Sequence, residues 1–151
     1  MFLPANLNVF WQQRHRLFVF APVFPRIALG VVFMAHGLDK LFGCFGGGGL
    51  SETMQQFAEL GLNPPQVQAL MAGIMEALGG LLVLLGLFTR LGGAMIAATM
   101  VVAIAVVHGS NGLFARDGGF EYPLVALASA VSLMLSGGGG MALDARYRDK
   151  P

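Results

Sequence analysis

The chain has 151 residues, of which 56% are hydrophobic and 11% charged, with a mean hydropathy of +0.70; ordinary soluble domains carry about 25% charged residues. This composition excludes a soluble domain and fits one integral membrane domain. A net charge of +1 without a dense basic patch excludes nucleic acid as a partner, and the lone Cys44 excludes both an internal disulfide and autonomous CxxC thiol exchange.

Residues 1–25 read as an amphipathic segment. Between Leu7 and Phe18, a helical period puts Leu7, Phe10, Trp11, Leu17 and Phe18 on one side, an interfacial helix with Trp11 at headgroup level and Arg14 snorkelling. Arg14 and Arg16 come too late, with no A-x-A-like site after them, for a cleaved signal peptide. Pro22 and Pro25 lead into the first span, "RIALGVVFMAHGLDKLFG", Arg26 to Gly43. Near its end His36, Asp39 and Lys40 fall on neighbouring sides of one helical face. The glycine-rich residues 44–50 predict a flexible turn. From Ser51 a short amphipathic helix follows, apolar at Met54, Phe57, Ala58 and Leu60 to Leu62, polar at Glu52, Gln55, Gln56 and Glu59, and stopped by Gly61, Asn63, Pro64 and Pro65. It is expected to lie as a lid or re-entrant piece on the outer mouth of the bundle.

Val67 to Phe88 is the second span, interrupted by Glu76, whose same-face neighbours Ala72, Gly73, Gly79 and Gly80 let another helix approach closely. Glu76 is therefore expected to point into the bundle. After a turn at Thr89 and Arg90 comes the third span, Leu91 to Val107, at about 25 Å somewhat short of the ~30 Å hydrocarbon core, with His108 at its end. The loop "GSNGLFARDGG" precedes the fourth span, Phe120 to Leu135; Ser136 to Gly140 breaks it and a charged tail closes the chain. The expected fold is all-α: a four-transmembrane-helix bundle with an amphipathic N-terminal helix and a short amphipathic helix in the first outer loop, organised as residues 1–25, 26–145 and 146–151. Arg14, Arg16, Arg26, Arg90, Arg146, Arg148 and Lys150 fall on one side, Lys40 and Arg116 on the other. The positive-inside rule then places both termini in the cytoplasm.

With that topology His36, Lys40, Glu76, His108 and Glu121 converge on the outer half of the bundle. Ionisable groups inside a membrane are costly and commonly line a cavity or pair with one another, so this is the candidate site. Each has a plainer role open to it: His36 as a helix–helix hydrogen-bonding group, Glu76 as glue paired with Lys40 or His36, Lys40 as a snorkelling or ion-pairing residue, and His108 and Glu121 as interfacial end residues. A metal is not expected, because no HxxxH or ExxH spacing is present and Lys40 would repel the ion. The "GGGG" runs lack a following Lys-Ser/Thr and a preceding strand, so no phosphate cradle is read.

The motifs "HGLDKLFG" (36–43), "LGLNPP" (60–65), "EALGGLLVLLGLFTRLG" (76–92), "VVHGSNGLF" (107–114) and "GGFEYPL" (118–124) resemble the DoxX family of small four-helix membrane proteins, from about Arg26 to Ala145. The resemblance implies a bacterial-type inner (plasma) membrane location. It also implies a role beside relatives that serve as membrane subunits of thiosulfate:quinone oxidoreductases, in oxidative-stress complexes, or as redox or maturation helpers. By position it marks His36, Lys40, Glu76, His108 and Glu121 as the family's recurrent polar positions. Without a cysteine pair or an added soluble domain, thiol or thiosulfate chemistry would need a partner oxidoreductase. The leading expectation is a redox-accessory subunit binding a quinone or similar lipid-soluble molecule, with His36 or His108 donating to a carbonyl and Glu76 relaying protons. The runner-up is a non-enzymatic assembly or interaction factor, and a small-solute or proton pathway ranks third. The residues leave the substrate, the partner and any homo-oligomer open.

Overall fold

The computed structural model describes residues 18–148, which contain helices, turns and loops and no strand. The expected helix at Leu7 to Phe18 lies outside the described residues but for Phe18, as does the tail from residue 149 on.

Helix α1 (Val23–Phe42) follows Pro22 and carries Pro25 in its first turn, where the missing N–H costs nothing. It stops at Gly43, whose φ of 69° is left-handed and whose N–H donates to Asp39 O. Helix α2 (Gly49–Glu59) packs at one end of the bundle against α1 and α3. Helix α3 (Pro65–Leu85) has proline in its first turn and a left-handed Gly86 after its last residue. Helix α4 (Thr89–Val102) is prolonged by a π-helical stretch, Ala103–His108, and a 3-10 turn, Gly109–Asn111. Helix α5 (Glu121–Ser136) and the short α6 (Leu143–Arg148) complete the order.

Three stretches are long and apolar enough to cross a membrane: Phe18–Phe42, Pro65–Leu85 and Thr89–Asn111; Glu121–Ser136 is a shorter apolar helix. The third is longer than the sequence implied. Its 23 residues come to about 34 Å at α-helical rise, enough for a ~30 Å hydrocarbon core without bilayer thinning. The helix runs on past Val107 because the π-helical stretch carries the backbone through His108. Residues 44–48 likewise have a defined shape rather than a loose turn, and α2 starts at Gly49 rather than Ser51. Asp39 Oδ1 accepts the backbone N–H of Phe45 (2.9 Å) and Gly47 (3.1 Å), and Glu52 accepts that of Gly48. Two carboxylates thus replace the backbone pairing that a glycine run lacks.

The helices pack in sequence order, α1 on α3, α3 on α4 and α4 on α5, with little direct contact between α1 and α5. Glycines at the contacts set the spacing, Gly30, Gly37 and Gly80 between α1 and α3 and Gly79 and Gly92 between α3 and α4. A Cβ on Gly30 would lie 2.7 Å from Leu84 Cα, and one on Gly92 would lie 2.8 Å from Gly79 O. Backbones this close gain the packing that drives helix association in lipid. Leu29, Phe33, Val83, Ile96, Met100, Ala126, Ala130 and Leu133 form the core, while Phe24, Val31, Ile74, Leu81, Val101 and Val125 stay exposed on outward faces. Such a surface belongs in lipid.

The end opposite α2 is closed by polar contacts. Arg26, only 5% exposed, donates from Nη1 to Gly138 O (2.8 Å) and from Nη2 to Met141 O (3.4 Å). Asp144 accepts the N–H of Phe88 (2.8 Å) and Thr89 (2.9 Å) and the Thr89 hydroxyl (3.0 Å), capping α4 from 55 residues downstream.

Candidate functional site

Glu76 sits near the midpoint of α3 on the side where Gly73, Gly79 and Gly80 are buried. Gly73 and Gly80 bring α1 close, and the closeness brings Lys40 from the last turn of α1 to Glu76: Nζ to Oε2 is 2.5 Å. The Glu76 side chain is 6% exposed and that of Lys40 28%. An unpaired carboxylate at this depth would be strongly unfavourable, and the ammonium answers it with a charge-assisted hydrogen bond.

The pair forms one wall of a cavity of about 380 Å³, within the range of small-molecule sites. Its lining is largely apolar, from Phe33 of α1, Phe57 of α2 and Leu60 just after it, Met71 and Met75 of α3, Met100 of α4 and Val107 of its π-helical extension. The polar side chains set in it include His36, Lys40, Glu76, Thr99, His108 and Tyr122. His36 lies one turn before Lys40, its ring tilted at 55° to Phe33 with centroids 6.5 Å apart. His108 closes the π-helical stretch of α4, an irregularity frequent at functional sites. Its Nδ1 lies 2.7 Å from Gly118 O. A carbonyl only accepts, so Nδ1 carries the hydrogen and Nε2 is left as the acceptor of the neutral ring.

A second, polar cavity of about 190 Å³ adjoins the first and shares His36, Lys40 and Gln56 with it. Asp39, Glu52, Thr53 and the loop Gly47–Gly49 complete its wall.

Of the five residues picked from sequence, His36, Lys40, Glu76 and His108 line one cavity. Glu121 does not: its Oε1 accepts the Ala115 N–H at 2.6 Å, holding the loop before α5. The adjacent residue takes its place, because the α5 start turns Tyr122 to the cavity. Sequence reasoning passed over Tyr122 and Thr99; the signal for Tyr122 was an aromatic hydroxyl opening an apolar helix, where one end of the ring can stay wet. Among the described residues no three His, Cys, Asp or Glu side chains sit close enough to share a metal ion.

The DoxX family model matches residues 21–109, taking in α1 to α4 and with them His36, Lys40, Glu76 and His108. The chain belongs to the DoxX family. Among the relatives of this DoxX protein, a Bacillus subtilis (strain 168) protein named "Putative oxidoreductase CatD" is 35% identical over 119 residues, 79% of this chain and 81% of its own length. "Inner membrane protein YphA" of Escherichia coli (strain K12) is 37% identical over 65 residues, 43% of this chain and 42% of its own. A Haemophilus influenzae protein (strain ATCC 51907 / DSM 11121 / KW20 / Rd) is 30% identical over 135 residues, 84% of this chain and 90% of its own. No solved structure matches significantly.

Proposed function

We propose that this DoxX protein is a redox-accessory subunit of the bacterial inner membrane that binds a quinone or similar lipid-soluble molecule in the outer half of a four-span bundle. One observation carries the reading: an apolar cavity of ligand size walled by a buried, ion-paired carboxylate and two histidines. The apolar walls take the ring and tail. The polar groups orient the ring oxygens, and His36 is the histidine left to donate to a carbonyl, since the Nδ1–H of His108 is committed to Gly118 O. Glu76 and Lys40 hold and exchange protons where the ring oxygens lie. The oxidoreductase name of the Bacillus relative and the inner-membrane name of the Escherichia relative support activity class and location; electrons would pass to or from a partner oxidoreductase. The basic-residue asymmetry supports an orientation with both termini in the cytoplasm.

Titration of the purified protein with a short-chain quinone tests the site. Glu76→Gln and His36→Ala should each weaken binding several-fold, and unchanged affinity in both would refute the assignment.

A second reading, an assembly factor without a ligand, draws on the Lys40–Glu76 contact, which ties α1 to α3 and would serve as a helix clamp alone. It requires that the same substitutions lower thermal stability while quinone leaves the melting temperature of the native protein unmoved.

A further inference from the structure

The cavity is not enclosed on every side. α3 and α4 meet backbone to backbone at Gly79 and Gly92. Toward α2 both helices line the cavity instead, α3 between Gln68 and Glu76 and α4 with its extension between Ala98 and His108. The lining there reaches the outward side of both helices. Val67, Met71, Ile74 and Leu78 recur at i, i+4, i+7 and i+11 and are all exposed, an apolar stripe of α3, and Leu91, Ala98 and Val102 form its counterpart on α4. Three of these residues, Met71 (52% exposed), Ala98 and Val102 (48% exposed), are at the same time cavity wall. A side chain belongs to both surfaces only at a mouth. Neither stripe carries a charge or a hydroxyl, so in a bilayer the mouth opens into hydrocarbon and not into water.

We infer that this mouth is a tail subsite: the cavity takes a bilayer-resident ligand with a long hydrocarbon tail, which enters sideways between α3 and α4 and leaves its tail in the cleft while its head reaches Glu76. This rests on the quinone-site reading and adds the entry route and the class of quinone, a tailed one drawn from the membrane and not a soluble ring. Met71 and Glu76 stand about 8 Å apart along α3, so the tail of a ring held at Glu76 reaches the mouth within its first several carbons. Ala98 is the small residue of the α4 stripe and leaves the gap, and on the facing lip Met71 and Met75, one turn apart, supply unbranched side chains that adapt to a flexible chain. The acyl chain of an ordinary lipid fits the cleft as well, but it brings no ring oxygens to the polar side chains His36, Lys40 and Glu76.

Hydrocarbon in the cleft gains little over hydrocarbon in lipid, so the test reads position. The full chain in lipid nanodiscs is irradiated with a benzoquinone whose decyl tail ends in a diazirine, with and without a large excess of plain decylbenzoquinone, and the adducts are located by mass spectrometry. The adducts that the excess displaces should fall on the two stripes, at Met71, Ile74, Ala98 or Val102. Displaceable adducts confined to α1, α2 or α5 overturn the tail subsite, and so does labelling that the excess leaves unchanged, as ordinary lipid contact would. In either case equilibrium binding of decylbenzoquinone leaves the quinone site standing, whereas no binding of it removes site and subsite together. Ala98→Phe, which fills the mouth, should slow association of decylbenzoquinone about tenfold, the scale of one overpacked side chain. A variant that melts like the native protein and binds at the native rate overturns the subsite as well; if the variant does not fold, the adduct map of the native protein decides alone.

Discussion

Replacing Lys40 by methionine removes the charge placed against Glu76 while keeping much of the side chain's length and apolar stem. Breaking a buried ion pair by deleting one partner costs about 3–5 kcal/mol. Lys40 is 28% exposed and Glu76 6%, so one partner already keeps some solvent and the cost should fall near the lower end, about 3 kcal/mol. At roughly 2–4 °C per kcal/mol for a chain of this size, Lys40→Met should lower the melting temperature by roughly 6–12 °C. The reciprocal change should cost less: with Glu76→Gln the Lys40 ammonium can turn into the adjoining polar cavity, whose wall it shares with Asp39 and Glu52. A cost of about 1 kcal/mol is expected, the scale of one net hydrogen bond. The double variant should lie close to Glu76→Gln alone, since the methionine then faces a neutral amide. Circular dichroism melts of the four proteins in one detergent give the cycle. Lys40→Met melting within about 1 °C of the native protein, or a double variant showing the plain sum of the single effects, would refute the claim that the two charges stabilise each other.

At the other end of the bundle, Asp144→Ala removes the cap from the first turn of α4. Loss of a helix cap costs about 1–2 kcal/mol, and hydrogen exchange at Phe88 and Thr89 should rise while amides of the Gly79 region keep their protection; uniform acceleration would contradict a local capping role. Membrane orientation can be read from the native thiol. Cys44 is exposed in the loop after α1, so an impermeant maleimide should label it in intact cells, whereas Arg146→Cys in a Cys44→Ser background should label only after lysis. The reverse pattern would turn the cavity to the cytoplasmic half.

How much could be read from sequence depends on the range of the information involved. Glu76 was legible because the residues that decide its direction, Gly73, Gly79 and Gly80, lie within one turn of it, and small neighbours admit only a close helix. Lys40 followed from its spacing to His36 on the same helix. Glu121 was misplaced for the opposite reason. Helix period fixes its face, but its partner Ala115 lies in an aperiodic loop whose path the sequence does not encode simply. The same holds for His108: its tautomer is set by Gly118, ten residues on, across a chain reversal. Arg26 was counted as an end charge marking the inner side, and it is a buried clamp on the loop at Gly138 to Met141. One of its nitrogens, Nε, is buried without a hydrogen-bond partner, and no local pattern distinguishes such an arginine from a snorkelling one. The glycine loop at 44–48 was misread as loose because its order comes from two side chains, Asp39 and Glu52, in the helices on either side.

The contrast between the two halves also ranks the functional classes. A solute or proton pathway needs polar continuity from one end to the other. Beyond the cavity, Val83, Ile96 and Leu133 are at most 1% exposed and pack into one apolar cluster, and the far end is tied shut by Arg26 and Asp144. Interiors packed in this way leave no gap for a chain of water, and dry apolar space does not conduct protons. The hollow half, by contrast, opens in two chemical directions: an apolar chamber among Met71, Met75 and Met100, and a polar one beside Asp39 and Glu52, meeting at His36 and Lys40. A dead-end chamber with an apolar body and a polar side room suits a ligand that brings a hydrocarbon tail and exchanges protons at its head. It does not suit a molecule that must pass through, which is why a binding site in that half accounts for these residues better than a channel does.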